Sequence, residues 1–470
     1  MPYSRETSVV ITAITVCCAI CMARGQQGLD NISGECQKAL FSLGKHHQAQ
    51  SVPVNPEHML YFLHIPRTAG RTFGVCFLKQ AWAPSRRCKK SYDVLRLNTS
   101  VPGCGLLSSH DDYSVLQHLP TDAAIATQLR DPVDRVLSMY EFAVEVAARQ
   151  LHPNTTQPDP NKMDTRKVWP WSILIPFMEQ EVKGRAATRN HEEDTQQTSL
   201  DPYNNGFVIS LADFIEHPLA RELVHDGQTL QVLGVTTYSH WKLAGPVRQC
   251  LHGEPPPIQQ VLLSLALKEL RRFVHVGVME MLDESVEALA ATLKMPIDGP
   301  AWRNVPNTTA QSDEAADRAD EEGFLEQPHS QASQQQTEPD SAYLQEAPLW
   351  AAYRWCTARA RKKNAVRKHK ALALLTTPDG RQLQFGHEAR ANLDPKLIAR
   401  IRELNSMDVI LHQVGKDLLL TRRKDLHAAH RLQRLPQLPA REQQTCTQPT
   451  VDSNNEAAGD ESKQTTQDEL

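Results

Sequence analysis

Aromatic residues make up only 6% of the 470 positions, and neither sign of charge dominates: 51 Lys+Arg stand against 55 Asp+Glu, a formal net charge of -4. That balance excludes a protein whose whole surface is built to hold nucleic acid or anionic membrane, so any anion site must be local. Outside the N-terminal apolar run there is no C-x-x-C and no paired Cys/His cluster, which removes the common zinc frameworks, and no metal is expected. No G-x-x-x-x-G-K-[ST] loop, no internal repeat and, after residue 23, no apolar run long enough to span a bilayer is found. The length and a hydrophobic fraction of 40% leave room for one large domain or two ordinary ones; 30 prolines with few aromatics assign part of the length to linkers and tails.

The N-terminus supplies an address. Residues 8–23 form an uncharged apolar run after Arg5 and end in Ala23-Arg24-Gly25, a small-x-small pattern. The run is short for a bilayer span and reads as a cleaved signal peptide over 1–25, with a retained anchor as the alternative. After cleavage no membrane span is expected. Outside this run stand Cys36, Cys76, Cys88, Cys104, Cys250, Cys356 and Cys446. An oxidising lumen would pair most of them, and their odd number predicts at least one unpaired thiol; the connectivity stays open. Sequons at Asn31, Asn98, Asn154 and Asn307 fit the same compartment, a Golgi or ER lumen. The terminal Gln467-Asp468-Glu469-Leu470 reads as a variant of the K-D-E-L retrieval signal, or as a chance acidic tail.

Short apolar runs at 59–65, 123–129 and 272–278 predict buried strands, each followed by a helix, from Phe73, Val133 and Glu284 respectively. Strands alternating with helices predict an α/β layered domain with parallel strands and a site at their carboxyl ends. The layout expected is a lead-in over 26–54, the α/β core over 55–300, an acidic disordered insert over 306–345, a helical extension over 346–430 with a basic stretch from Arg359 to Lys370, and a polar disordered tail over 431–470.

The first strand runs straight into Pro66-Arg67-Thr68-Ala69-Gly70-Arg71-Thr72 and then a helix. Strand, tight loop and helix N-terminus are the geometry in which backbone N–H groups converge on a phosphate, although an ordinary turn has the same form. The second strand ends in Arg130-Asp131-Pro132-Val133-Asp134-Arg135-Val136-Leu137-Ser138. Pro132 suits a first helical turn, and Arg130 with Ser138 offers a cation and a hydroxyl to a second phosphate; helix capping by Asp131 is the plain alternative.

Together the two elements resemble the secretory-pathway sulfotransferases: H-I-P-R-T-A-G-R-T-F is similar to their 5′-phosphosulfate loop and R-D-P-V-D-R-V-L-S-M-Y to their 3′-phosphate element. The nearest resemblance is to the plant-type tyrosylprotein sulfotransferases, themselves similar to heparan sulfate 6-O-sulfotransferases. It extends over S-H-D-D-Y-S at 109–114, M-Y-E-F-A-V-E-V-A-A-R at 139–149, W-P-W at 169–171, H-D-G-Q-T-L-Q at 225–231 and L-N-S-M-D-V at 404–409. The resemblance implies a P-loop-like sulfotransferase fold, with a central parallel sheet flanked by helices and a C-terminal helical extension. It also implies 3′-phosphoadenosine 5′-phosphosulfate as donor. Arg67, Thr68, Ala69, Gly70, Arg71 and Thr72 would surround the 5′-phosphosulfate, and Arg130 and Ser138 would hold the 3′-phosphate. Two departures stand out: Arg67 replaces the lysine usual in heparan-type loops, and Ala69 replaces a customary glycine.

Transfer of a sulfuryl group needs donor and acceptor in line, charge neutralised on the leaving phosphate, and a base for the acceptor's proton. His110 follows a short apolar run and, by resemblance to the heparan-type catalytic histidine, is the expected base, with Asp111 or Asp112 to orient it; Arg67 is expected to stabilise the bridging oxygen. Arg86, Arg87, Lys89 and Lys90 form a cluster read equally as a steering patch for acidic acceptors or as a solvated loop. Trp169 and Trp171 read as core rather than as an acceptor groove, and Glu280 as a supporting residue. The implied acceptors are tyrosines beside acidic residues in secreted peptides or proteins, without nucleic acid. A heparan-type polysaccharide acceptor, or a lumenal binding protein without catalysis, are the competing readings.

Overall fold

A computed structural model of the chain describes residues 32–48, 59–88, 104–151, 165–189, 201–253, 255–299, 348–373, 375–376 and 382–429. The signal-peptide reading, the four sequon asparagines, Lys89, Lys90, Cys446, the acidic insert, and the tail with its terminal tetrapeptide lie outside the described residues.

The three runs read as strands hold β1 (Leu60–Leu63), β3 (Ala124–Leu129) and β4 (His275–Val278), each buried along its whole length, as parallel strands covered on both faces must be. The apolar run before His110 adds β2 (Leu106–Ser109), and the four pair in parallel in the order β2-β1-β3-β4. Leu60 lies beside Leu106 on one side and Ala124 on the other, and Ala126 beside His275. The chain leaves β1 for one neighbour, β2, and later returns to the other side at β3. The crevice outside the carboxyl ends of β1 and β3 is therefore the switch point where α/β sheets bind ligands. The third run reaches the sheet later than its apolar pattern suggests, because the carbonyls of Phe273 and Val274 accept from the Arg422 guanidinium and strand pairing begins at His275.

Helix α1 (Gly34–Gln48) precedes the sheet. After β1 comes α2, which opens at Gly70–Thr72, widens to a π-helix over Phe73–Leu78 and closes at Lys79–Ala81. Helix α3 (Pro132–Gln150) follows β3, with Pro132 in the first turn and the Asp131 carboxylate accepting from Val133 N–H at 2.9 Å and Asp134 N–H at 3.1 Å. Next come α4 (Trp171–Arg189), α5 (Gly227–Leu233), α6 (Ala244–Gly253) and α7 (Pro255–Leu270), then α8 (Leu282–Thr292) after β4. The later helices are α9 (Leu349–Leu372), α10 (Pro395–Leu404) and α11 (Ser406–Ala428).

Two apolar clusters hold these layers. One joins Tyr61, Leu63, Ile125, Leu129 and Val276 of the sheet to α1, α7 and Leu411 and Leu419 of α11; the other joins the inner face of α3 to buried Trp169, to α4 with its buried Trp171, and to Ile401 of α10. The stretches 55–300 and 346–430 thus pack on each other: a Cβ at Gly415 would lie 2.5 Å from Leu129 Cδ1, so α11 rests its backbone on β3. Three disulfides staple the layers: Cys36–Cys250 ties α1 to α6, Cys76–Cys356 ties α2 to α9, and Cys88–Cys104 joins the end of the α2 segment to the start of β2. No helix among the described residues is long and apolar enough to cross a membrane.

Candidate active site

The loop after β1 is held in an unusual backbone form. Arg67 and Ala69 both have positive φ, 67° and 62°, where an L-residue pays about 1–2 kcal/mol of strain. Ala69 therefore carries its methyl in the conformation that glycine adopts without cost, and its carbonyl accepts from Phe73 N–H at 2.9 Å to start α2. Thr68 is buried and donates to Ile65 O at 2.9 Å, which closes the turn from within. Gly70 has no room for a side chain: a Cβ there would stand 2.0 Å from His64 Cδ2.

Arg67 projects from this loop onto α3. Its Nε donates to Ser138 Oγ at 2.8 Å, and its guanidinium carbon sits 4.4 Å from the centroid of the Phe142 ring. Arg130, at the end of β3, donates to the carbonyl of Arg67 at 3.1 Å. Burial, reinforced by Arg130, pushes the Arg67 guanidinium down to about 10, and burial lowers Arg130 as well. Both arginines thus belong to the turn that opens α2, where cations and helix N–H groups together suit an anion.

His110 follows β2. Its Nδ1 lies 2.8 Å from the carbonyl of His64, and since a carbonyl only accepts, Nδ1 carries the proton and the neutral ring's lone pair sits on Nε2. The two imidazoles stack with centroids 4.1 Å apart, so His64 touches both His110 and the space at Gly70. The orienting role expected of Asp111 or Asp112 thus falls to a backbone carbonyl. Asp111 pairs with His240 Nε2 at 2.7 Å, while Asp112 accepts from Ser114, whose N–H it caps, and from Thr236 Oγ1 at 2.7 Å.

The other candidates have different surroundings. Arg87 closes the end of α2, donating to Trp82 O at 3.0 Å and to Lys79 O; Arg86 is exposed and its guanidinium covers Gly105. Arg71 is exposed on the first turn of α2, next to half-buried Thr72. Glu280 accepts from Asp131 N–H at 2.9 Å and from His412 at 3.1 Å; burial alone would raise its carboxyl, but these bonds outweigh it and hold it below the usual range. A cavity of about 390 Å³ lies beside Arg130, walled by Asp131, Pro132, Ile410 and His412 among others.

Sequence reasoning missed Gln228, whose amide accepts from Arg130 N–H and donates to Arg130 O, both at 2.9 Å. It missed the support behind Gln228 too. Asp408 accepts from the N–H groups of Gln228 and Thr229, Asn405 accepts from Asp226 N–H, and buried Arg135 lies 3.5 Å from Asp408. The signal was present in H-D-G-Q-T-L-Q and L-N-S-M-D-V, but nothing local says that two segments so far apart meet. Among the described residues no group of three or more acidic, His or Cys side chains is arranged to hold a metal ion.

No family model matches the chain. It is 32% identical over 378 residues to an Arabidopsis thaliana protein described as protein-tyrosine sulfotransferase, an alignment spanning 76% of this chain and 74% of that protein. At that identity and coverage the parallel sheet, the Arg67 loop and the His110 turn have a single family context: the chain belongs to the protein-tyrosine sulfotransferases.

Proposed function

We propose that the protein transfers a sulfuryl group from 3′-phosphoadenosine 5′-phosphosulfate to tyrosine hydroxyls of secreted acidic peptides or proteins. The observation that carries this reading is the juxtaposition, at the end of β1, of an imidazole with a defined tautomer and a doubly cationic anion loop. His110 Nε2 takes the phenol proton, the phenolate oxygen attacks sulfur, and the bond from sulfur to the bridging phosphate oxygen breaks. A phenol with pKa about 10 is mostly protonated at lumenal pH, which is why a base matters. The leaving nucleotide departs with an added negative charge, which Arg67 neutralises with the N–H groups of the Thr68–Thr72 turn. Arg130 and Ser138 hold the 3′-phosphate, and the cavity walled by Asp131 and Ile410 suits the nucleoside.

The compartment belongs to the same proposal: a signal peptide over 1–25, a Golgi or ER lumen, and retrieval through Gln-Asp-Glu-Leu are supported by the three disulfides, which need oxidising surroundings. The functional layout likewise assigns catalysis to the α/β core over 55–300. The test is transfer from sulfur-labelled donor by purified protein to an acidic tyrosine peptide, with heparan-type glycan as the second acceptor. Label on the peptide and its loss in His110→Ala support the reading; label only on glycan, or full transfer by His110→Ala, overturns it.

A further inference from the structure

His110 stands where support from the sheet runs out. Among the described residues β2 is an edge strand, so beyond Ser109 the chain has β1 beside it, and the His110 ring takes its bond from the His64 carbonyl there. The next residue is held on its backbone: Tyr61 donates its hydroxyl to Asp111 O at 2.6 Å, and Asp111 N–H donates to Ser109 Oγ at 3.3 Å. Burial, then the Asp111 carboxylate, push the Tyr61 phenol well above its usual range, so it stays a donor. Further partners come from residues 231–240, the end of α5 and the stretch after it. Gln231 Nε2 donates to His110 O at 3.4 Å, Thr236 donates its N–H and its hydroxyl to Asp112 at 3.1 and 2.7 Å, and His240 N–H donates to Ser114 Oγ at 2.8 Å. Gly234, at φ 70°, packs so closely that a Cβ there would lie 2.5 Å from Ser114 N. Arg248 of α6 fastens this stretch in turn, donating to Val235 O at 3.2 Å and to Thr236 O at 2.6 Å.

Within this grip, the His240–Asp111 pair adjoins His110 in the chain. Asp111 is buried, and since a carboxylate only accepts, His240 Nε2 carries the proton of the 2.7 Å bond to Asp111 Oδ1. The His118 ring meets His240 edge-on, with centroids 5.2 Å apart. We infer that His240 is a positioning residue for the proposed base: through Asp111 it fixes the main chain that carries His110, so that Nε2 of the base meets the acceptor hydroxyl, a reading that rests on the proposed function. It acts on the chain rather than on the reacting atoms, because Asp111 Oδ1 faces His240 while His110 Nδ1 is bonded to His64 O. That bond aims the imidazole only while the backbone bearing it stays in place. Without His240 a buried carboxylate loses its partner, turns toward water, and draws the peptide after His110 with it.

The experiment compares wild type, His240→Leu, His240→Gln and Asp111→Ala with sulfur-labelled donor and an acidic tyrosine peptide. Leucine removes the bond, whereas glutamine can place an amide N–H where the imidazole Nε2–H stands. The expected result is a kcat about tenfold lower in His240→Leu and in Asp111→Ala, and within about threefold of wild type in His240→Gln. Adding His240→Leu to Asp111→Ala should cost no further kcat, because the two residues act through one bond. KM for the donor and product-nucleotide affinity by calorimetry should stay within about twofold, since Arg67 and Arg130 take their partners from elsewhere. His240→Asn, polar but too short to reach the carboxylate, should show the same loss and serves where leucine prevents folding. A kcat for His240→Leu or His240→Asn equal to wild type, a His240→Gln as slow as His240→Leu, or a loss of kcat matched by an equal loss of nucleotide affinity overturns the positioning role while leaving the activity standing. A wild-type protein that labels no tyrosine peptide overturns both readings.

Discussion

The side-chain amide of Gln228 closes both hydrogen bonds of the Arg130 backbone, accepting from its N–H and donating to its carbonyl at 2.9 Å each. Arg130 stands where β3 has ended and α3 has not begun, so its backbone groups have no ladder or helix to satisfy them. Gln228 supplies the missing partner and thereby aims the guanidinium at the Arg67 loop.

Gln228→Leu keeps the volume and removes both bonds. It should destabilise the fold by about 2 kcal/mol, because two buried backbone groups lose their partner. Product-nucleotide affinity by calorimetry should fall about tenfold, since Arg130 loses its fixed direction. Unchanged nucleotide affinity would mean that Gln228 serves folding alone.

Gly70→Ala is the smallest change that should separate catalysis from stability. The new Cβ would come 2.0 Å from His64 Cδ2, and His64 is both the stacking partner and the hydrogen-bond acceptor of His110. If His110 is the base, as proposed, a displacement of about 1 Å there costs on the order of a hundredfold in kcat. Steady-state kinetics on a tyrosine peptide should show that loss; a kcat near wild type would separate His64 from the chemistry.

Stability should depend on pH through His275, which is fully buried on β4, has both ring nitrogens without partners, and is held well below the usual imidazole range by burial and by Arg422. The unfolded chain takes up a proton near pH 6.5 that the folded chain refuses, so this histidine's contribution is complete above that pH and is lost as pH falls below it. His275→Phe removes the titration while preserving the ring packed on Phe73. Its stability relative to wild type should improve by about 1.4 kcal/mol per pH unit between pH 6 and 5 in denaturant unfolding. A constant difference between the two proteins would show that His275 takes up its proton while folded.

Cys356→Ser removes the bond between α9 and α2. Opening a covalent link across 280 residues should cost about 2–5 kcal/mol of stability. Because α2 follows the Arg67 loop directly, KM for the donor should rise as well in steady-state kinetics. A donor KM equal to that of wild type would confine the bond's role to stability.

Much of this site can be read in the sequence because its parts are local. The apolar run before Pro66, the glycine at the start of α2, and Asp131-Pro132 as a helix opening each depend on a few neighbouring residues. The orientation of His110 cannot be read in this way: Asp111 and Asp112 are its chain neighbours, yet the backbone turns them toward His240 and Thr236, and the carbonyl of His64 reaches the ring from another strand. In the basic run at Arg359–Lys370 most cations are exposed, and only Arg367 and Lys368 turn partly inward, toward Glu145 and Glu141 of α3, which spacing along one helix does not foretell.

By itself the sequence determined the α/β class and the strand-to-helix turns at Pro66–Thr72 and Arg130–Pro132, because strand runs, caps and tight turns are short-range choices. Tertiary structure alone decided which groups act on each other: Gln228 reaches Arg130 from 98 positions away, and Arg67 meets Ser138 across 71. Such pairs form only when buried polar groups must find partners in a packed interior, and that constraint acts on neighbours in space.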